Sequence, residues 1–367
     1  MNTGIFLHIQ ELSKHTRFVG SDGAEKARNY ITSFLEQCNI SYNYSYSEIP
    51  NWSLIEMPQI EILSPESITV KSLPAIFSLP SDGWIEGELV SSGTIKMLDS
   101  FYCDKYSIVI CGYEVAYIIS SNVRTAMQPL PFGELDLPCV IADSSVNAKI
   151  KALLEKDETV IVRLLNSTKM DGKLKATSVF GSSLHTKKLP LICAHYDTVY
   201  NNYGAHDNAS GVAILLKLIE IFNNEFHFAF FDGEECNKVG STAFVKELKK
   251  NGLLNNISYV LEIDAVGVGE EIALLSSKKA YKPLKHIEIE NVKLDSNKVS
   301  HSQQTRIAFS DVWAFMCEGI PVIRILTRGE TSNRITHFPE DTIDKIEITT
   351  IENTYKVAEH IVRNLQI

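Results

Sequence analysis

Four apolar runs in the second half of the chain constrain the fold more than any other feature. They span residues 189–194, 226–231, 259–263 and 321–326. Each is apolar almost throughout rather than alternating, the pattern of a strand buried on both faces of a sheet. Helical stretches at residues 209–222, 241–250, 311–317 and 349–365 lie between or after them. Gly319 and Pro321 follow the third of these as a stop signal. Apolar strands alternating with helices predict an α/β domain, a mostly parallel mixed sheet sandwiched by helices. An earlier helix is expected over residues 22–38. Asp22 is its candidate cap, Glu25 stands three residues later, and Ala24, Ala27, Ile31, Phe34, Leu35 and Cys38 share one face.

Between residues 51 and 170 the texture changes. Short strand-like segments at 87–90, 107–112, 116–120, 137–143 and 159–165 crowd together, with one helical stretch at 146–155. The polar segment 166–173 reads as the way out of this β-rich module. The expected organisation is therefore a discontinuous domain, residues 1–50 and 171–367, interrupted by an inserted domain over 51–170.

The ends of the apolar runs carry the chemistry. Residues 191–194 run into His195-Tyr196-Asp197. Residues 228–231 run into Asp232-Gly233-Glu234-Glu235, and residues 260–263 into Asp264. In an open α/β sheet, ligands gather beyond the carboxyl ends of the strands, so residues far apart in sequence meet at one rim. Imidazole and carboxylate together suit zinc or a similar metal, and a carboxylate can bridge two ions. Glu234 and Glu235 are adjacent and cannot both point the same way from a regular strand, so one can ligate while the other serves as a base. Asp197 suits a carboxylate that holds the far nitrogen of the His195 ring. Taken singly, each island has a bland reading: a surface pair, a turn, a solvated helix start. Five of them in order, these three with Asp207-Asn208 and His337, nearly all following an apolar run, do not.

Other features set limits. The formal net charge of −10 argues against nucleic acid or an anionic membrane as partner. No basic start with an apolar run marks a leader, and no stretch reaches the ~18 apolar residues of a span. The seven cysteines include no CxxC pair and several lie in apolar runs, which suggests reduced thiols and a cytoplasmic location.

The stretch LICAHYDTVYNNYGAHDNASGVAILLKLIEIF, with FAFFDGEECNKVGSTAFV, LEIDAVG, SDVWAFMCEGIPVI and THFPEDT, resembles metallopeptidase family 28, the co-catalytic dizinc aminopeptidases. HTRFVGSDGAEKARNYI resembles the opening of the same family, and LPCVIADSSVNAKIKALLEKDETVIVRLL resembles a protease-associated domain. The resemblance implies a zinc-peptidase, phosphorylase/hydrolase-like fold and two zinc ions, with cobalt or manganese as substitutes. It implies His195 and Asp264 on one ion, Glu235 and His337 on the other, and Asp207 bridging, with a cis Asp207–Asn208 peptide. Glu234 would be the general base and Asp197 the orienter of His195. Peptides with a free N-terminus would be the substrates, and the inserted domain would restrict access to short ones. A carboxypeptidase of the family is the alternative, with Arg306, Arg324 or Arg328 receiving the terminal carboxylate. A glutaminyl cyclase and a non-catalytic receptor-like homologue are weaker alternatives. His206, Asn237-Lys238, Val312 and Thr336 depart from the family pattern. His206 is expected to neighbour the site without ligating, and His227 and Trp313 to serve structure.

Overall fold

The computed structural model describes residues 3–96, 102–121, 136–156, 158–181, 184, 187–222, 225–289, 292–303 and 310–367. Arg306 lies outside them. The chain divides into two compact units, Met1–Glu48 with Lys175–Ile367, and Ile49–Leu174.

The first unit is built on an eight-stranded sheet. Its order is Tyr42–Leu54, Thr168–Gly181, His227–Phe231, Leu189–His195, Ile257–Ile263, Val322–Arg328, Glu271–Ser276 and Lys298–Gln303. The middle four strands, the apolar runs of the sequence, are mutually parallel, and both strands bordering them, Thr168–Gly181 and Glu271–Ser276, pair antiparallel. The sheet is therefore mixed with a parallel centre. Alternate residues of each strand feed two different cores. Ile192, Ala194, Phe228, Phe230, Leu261 and Ile263 pack with helices Thr3–Leu12, Asp22–Gln37, Ser210–Phe222 and Ile348–Asn364. Leu191, Cys193, Ala229, Phe231 and Val260 pack with Val239–Lys250 and Val312–Cys317. Burial on both faces explains why these strands read as continuous apolar runs.

Two local expectations need correction. The helix over residues 22–37 is capped by Ser21, whose side chain accepts the Ala24 N–H, while Asp22 is its first residue. Ser21 is the last extended residue, and only such a residue can turn its oxygen back onto the first turn. The polar stretch after Asn166 is not a loop: it opens the strand Thr168–Gly181, whose first residues are largely exposed and therefore polar.

The second unit holds its own eight-stranded sheet, mostly antiparallel, with one parallel pair between Tyr113–Ser120 and Cys139–Ala142. The helix Ser144–Leu154, capped by Asp143, puts Val146, Ile150 and Leu153 into the core with Ile60, Leu89, Ile108, Ile118 and Val162. All seven cysteines are free; Cys111 and Cys317 are exposed, Cys38 is half-buried and the other four are buried.

Candidate metal centre

The three central parallel strands deliver their acidic and imidazole residues to one place. His195 ends one strand, Asp264 directly follows another, and Glu234 and Glu235 lie just past the third. His337 arrives on a loop after the short helix Glu330–Ile335. Asp207 comes from a one-turn segment, Ala205–Ala209, that leads into helix Ser210–Phe222.

Asp207 stands at the centre. Its Oδ1 lies 3.2 Å from His195 Nε2, and its Oδ2 lies 3.3 Å from His337 Nε2. His195 Nε2 is also 3.2 Å from Asp264 Oδ1, and His337 Nε2 is 3.3 Å from Glu235 Oε2. Two trios result, His195–Asp207–Asp264 and Asp207–Glu235–His337, each with ligand atoms within 4.8 Å of one another. All five residues are buried except His337, which is partly open.

The turn that carries Asp207 is tied from several sides. The Asp207–Asn208 peptide is cis. Asn208 Nδ2 donates to the Ile263 carbonyl, while its Oδ1 accepts the Gly211 and Ala265 N–H groups. Ser210 Oγ donates to the His206 carbonyl and accepts the Val266 N–H. These bonds lock the turn to the strand end that bears Asp264. A side chain at position 211 would put its Cβ 2.2 Å from the Ile263 carbonyl oxygen and 2.3 Å from Asn208 Oδ1, so glycine is required there. The Asn-Ala-Ser-Gly string is thus a bracket holding two acidic residues in place.

Asp197 is more than a partner for His195. Its Oδ1 lies 3.5 Å from His195 Nδ1, longer than an ordinary hydrogen bond. Its two oxygens accept the backbone N–H groups of Glu234 and Glu235 at 3.1 Å each. Asp197 therefore anchors the Glu-Glu turn, which Gly233, Asn237 and Lys238 shape with positive φ.

The charge balance follows from burial and proximity. Burial opposes a charge on His195, but Asp197, Asp207 and Asp264 hold its proton affinity well above the ordinary range. Asp207 is likewise buried, yet the two imidazoles keep it well below the usual carboxylate range. Burial pushes Glu235 well up, with Asp207 and Glu234 adding to it. Glu234 is pushed up to about 8 by burial, and Asp264 adds to this. The site concentrates more carboxylate charge than its imidazoles offset. Buried imidazole and carboxylate oxygens converging in two trios, with Asp207 Oδ1 making no hydrogen bond, are the donor set and charge that divalent cations fit.

Several residues were not assigned at the sequence level. Asp341 accepts the His206 N–H on Oδ1 at 2.7 Å and the Asp207 N–H on Oδ2 at 2.9 Å. It stands four residues after His337 in the THFPEDT motif, where only the histidine had drawn a role. Arg17 is fully buried. Its guanidinium donates to the carbonyls of Leu12, Tyr196, Tyr203 and Gly204, and its backbone N–H to Thr198 Oγ1. It fastens the segment between His195 and Asp207 from within, and a buried arginine satisfied by carbonyls leaves no periodic signal. Arg324, weighed from the sequence only for a substrate carboxylate, instead places Nη2 2.6 Å from Asp264 Oδ2. A cation inside an otherwise apolar strand was the signal there.

The departures from pattern fall beside the cluster. His206 turns its Nδ1 to the Val266 carbonyl, 3.0 Å away. Thr336 Oγ1 donates to the Ser332 carbonyl. His227 is buried and shares Nε2 between the carbonyls of Lys187 and Asn256. Phe315 is buried in the core and Trp313 is half-buried. Of the arginines weighed for a carboxylate pocket, Arg324 is committed to Asp264 and Arg328 is exposed.

The description Peptidase family M28 belongs to a family model that matches residues 179–362, half of the chain. The chain is a member of that family. The aminopeptidase from Aneurinibacillus sp. strain AM-1 superposes with a TM-score of 0.76 at 18% identity, over 99% of this chain and 93% of that one. BSAP, a zinc aminopeptidase from Bacillus subtilis, gives 0.72 at 18% identity over 98% and 93%. At that identity the likeness is one of fold. The probable lipoprotein aminopeptidase LpqL of Mycobacterium tuberculosis is 23% identical over 289 residues, 70% of this chain and 56% of its own length. The chain thus spans little more than half of that curated relative. Among the described residues, no helix is long and apolar enough to cross a membrane.

Proposed function

We propose that the chain is a zinc-dependent aminopeptidase that hydrolyses the first peptide bond of peptides with a free N-terminus. The observation that carries this is the division of Asp207: one oxygen faces His195, the other His337. That is the layout of a carboxylate shared by two cations. His195 and Asp264 would hold one of them and Glu235 and His337 the other, with Asp207 common to both. When bound, the cations supply Lewis-acid polarisation of the scissile carbonyl and acidify water.

The remaining work falls to the chain's own groups. Glu234 is half-buried and next in sequence to Glu235, with its backbone anchored by Asp197. Its carboxylate takes the proton of the attacking water and returns it to the departing amine. Burial raises its proton affinity toward neutrality, and nearby cations draw it back down, which leaves it ionised and still basic near pH 7. Arg324, the guanidinium ion-paired with the cluster, is already occupied by Asp264, which supports an aminopeptidase over a carboxypeptidase.

The test is digestion of a peptide library with free and blocked termini, with and without chelator. Cleavage confined to peptides with a free N-terminus, abolished by chelator and restored by zinc, is the expected result. Cleavage that requires a free C-terminus instead would select the carboxypeptidase. Chelator-insensitive cleavage would end the metal reading.

A further inference from the structure

The two trios do not face equal surroundings. Asp264 is divided between two cationic neighbours: Oδ1 faces His195 Nε2 at 3.2 Å, and Oδ2 faces Arg324 Nη2 at 2.6 Å. Arg324 sits directly across from Glu262 in the parallel pairing of strands Ile257–Ile263 and Val322–Arg328, with its Nε 3.8 Å from Glu262 Oε2. Glu262 Oε1 is held by the Asp311 N–H at 2.9 Å. The guanidinium therefore has a buried carboxylate behind it, within ion-pair reach but without a hydrogen bond, and is pressed against the outer oxygen of Asp264. Among the described residues no guanidinium is ion-paired with Asp207 or Glu235, the carboxylates of the other trio. Arg17, whose charge acts on Asp207 and Glu235, spends its donors on four carbonyls, and no ion pair joins it to the cluster among the described residues.

We infer that Arg324 is a positioning residue that makes the two cation sites unequal, holding Asp264 to a single ligating oxygen and weakening the cation bound by His195, Asp207 and Asp264. The inference rests on the two-cation reading above. Its physics is short-range. A guanidinium on the far oxygen draws off part of the carboxylate's charge and adds a positive charge a few ångströms from a divalent ion. The same contact prevents Asp264 from swinging to offer both oxygens. The side held by Glu235, whose carboxylate meets no guanidinium among the described residues, fills first. The exposed consequence is an enzyme whose second cation exchanges readily with the medium.

Calorimetric titration of the chelator-stripped full chain with Zn2+, repeated with Co2+, reads this directly without any turnover. Wild type should show two binding classes separated by roughly tenfold or more, the effect of one unit charge about 5 Å from a divalent ion even under water-like screening. Asp264→Asn should remove only the weaker class. Arg324→Met combined with Glu262→Gln removes the guanidinium without stranding a buried carboxylate and keeps an acceptor for the Asp311 N–H; the weaker class should then tighten by roughly tenfold. Arg324→Lys, which keeps the charge, should preserve the separation. Should the double variant fail to fold, Arg324→Gln carries the same expectation. An unchanged separation without the guanidinium overturns the inference, as does a weaker class that loosens further, because Arg324 would then only pre-organise Asp264. Two equal classes in wild type overturn it while leaving the two-cation reading intact, whereas no binding at all removes both.

Discussion

The two halves of the candidate metal centre are built in opposite ways. The His195–Asp207–Asp264 trio draws two of its members from the ends of adjacent parallel strands, paired through Leu191–Val260, Ile192–Leu261 and Cys193–Glu262. The Asp207–Glu235–His337 trio takes Glu235 from a turn with positive-φ residues on both sides, and His337, itself at φ 66, from a loop. The first half is set by paired strands, deeply buried and crowded by Arg324. The second is partly open, and among the described residues neither of its carboxylates, Asp207 and Glu235, is ion-paired with a guanidinium. Strand ends supply placement, and loops supply the adjustable side. The shared Asp207 is the point where the two meet, which is why the chain surrounds it with Asp341, Asn208, Ser210 and Arg17.

The largest expected effect follows from that shared position. Asp207→Asn should remove a ligand from both trios at once. Bound zinc after dialysis, measured by atomic absorption, should fall below one per chain. kcat/KM on an aminoacyl anilide should drop by a thousandfold or more, about 4 kcal/mol of transition-state stabilisation. Two zinc ions retained by the variant would show that Asp207 is not common to the two halves.

Glu234→Gln separates chemistry from binding. The amide keeps the shape but cannot accept a proton, so kcat should fall by roughly 10²–10⁴ while zinc stoichiometry and KM stay near wild type. Equal loss of metal and activity would instead make Glu234 a ligand and undo the division of labour within the Glu-Glu pair.

The halves should also differ in stability. His195→Ala deletes a buried ring that three carboxylates surround, leaving their charge uncompensated; roughly 3–5 kcal/mol is the usual loss for breaking a buried ion pair. His337→Ala acts on a partly open loop, and a loss of about 1 kcal/mol is expected. Denaturant melts in the presence of chelator compare the two without metal linkage. Similar losses from both would contradict the contrast between a strand-borne and a loop-borne half.

Much of this arrangement was legible because hydrophobic burial writes itself into sequence. The central strands are apolar throughout, so their ends could be located to a residue or two, and His195 and Asp264 with them. Membership of Peptidase family M28 was likewise readable from the five collinear motifs. What stayed hidden was hydrogen bonding at a distance. Arg17 meets Tyr196 and Gly204 across about half the chain, and Asp341 meets Asp207 across 134 positions. Nothing in local pattern encodes such partners. The polar residues of Thr168–Gly181 were hard for a different reason: on an exposed strand segment, side chains carry no apolar signature to report the backbone beneath.

The smallest and most discriminating effect concerns Asp341. Its two oxygens receive two consecutive N–H groups, those of His206 and Asp207. Asp341→Asn preserves one acceptor and turns an amide N–H₂ toward the other donor, so one buried N–H loses its partner at a cost of about 1–3 kcal/mol. Among the described residues no imidazole is ion-paired with this carboxylate, so zinc stoichiometry should match wild type. What should change is the rigidity of the Asp207 turn. Amide hydrogen exchange over residues 204–211 should accelerate, and kcat should fall several-fold with little change in KM, because a misplaced shared ligand weakens transition-state contacts more than substrate binding. If exchange quickened equally in the Gly233–Lys238 turn, Asp341 would be supporting the whole rim, and the separation of the site into a strand-set half and a loop-set half would be too sharp.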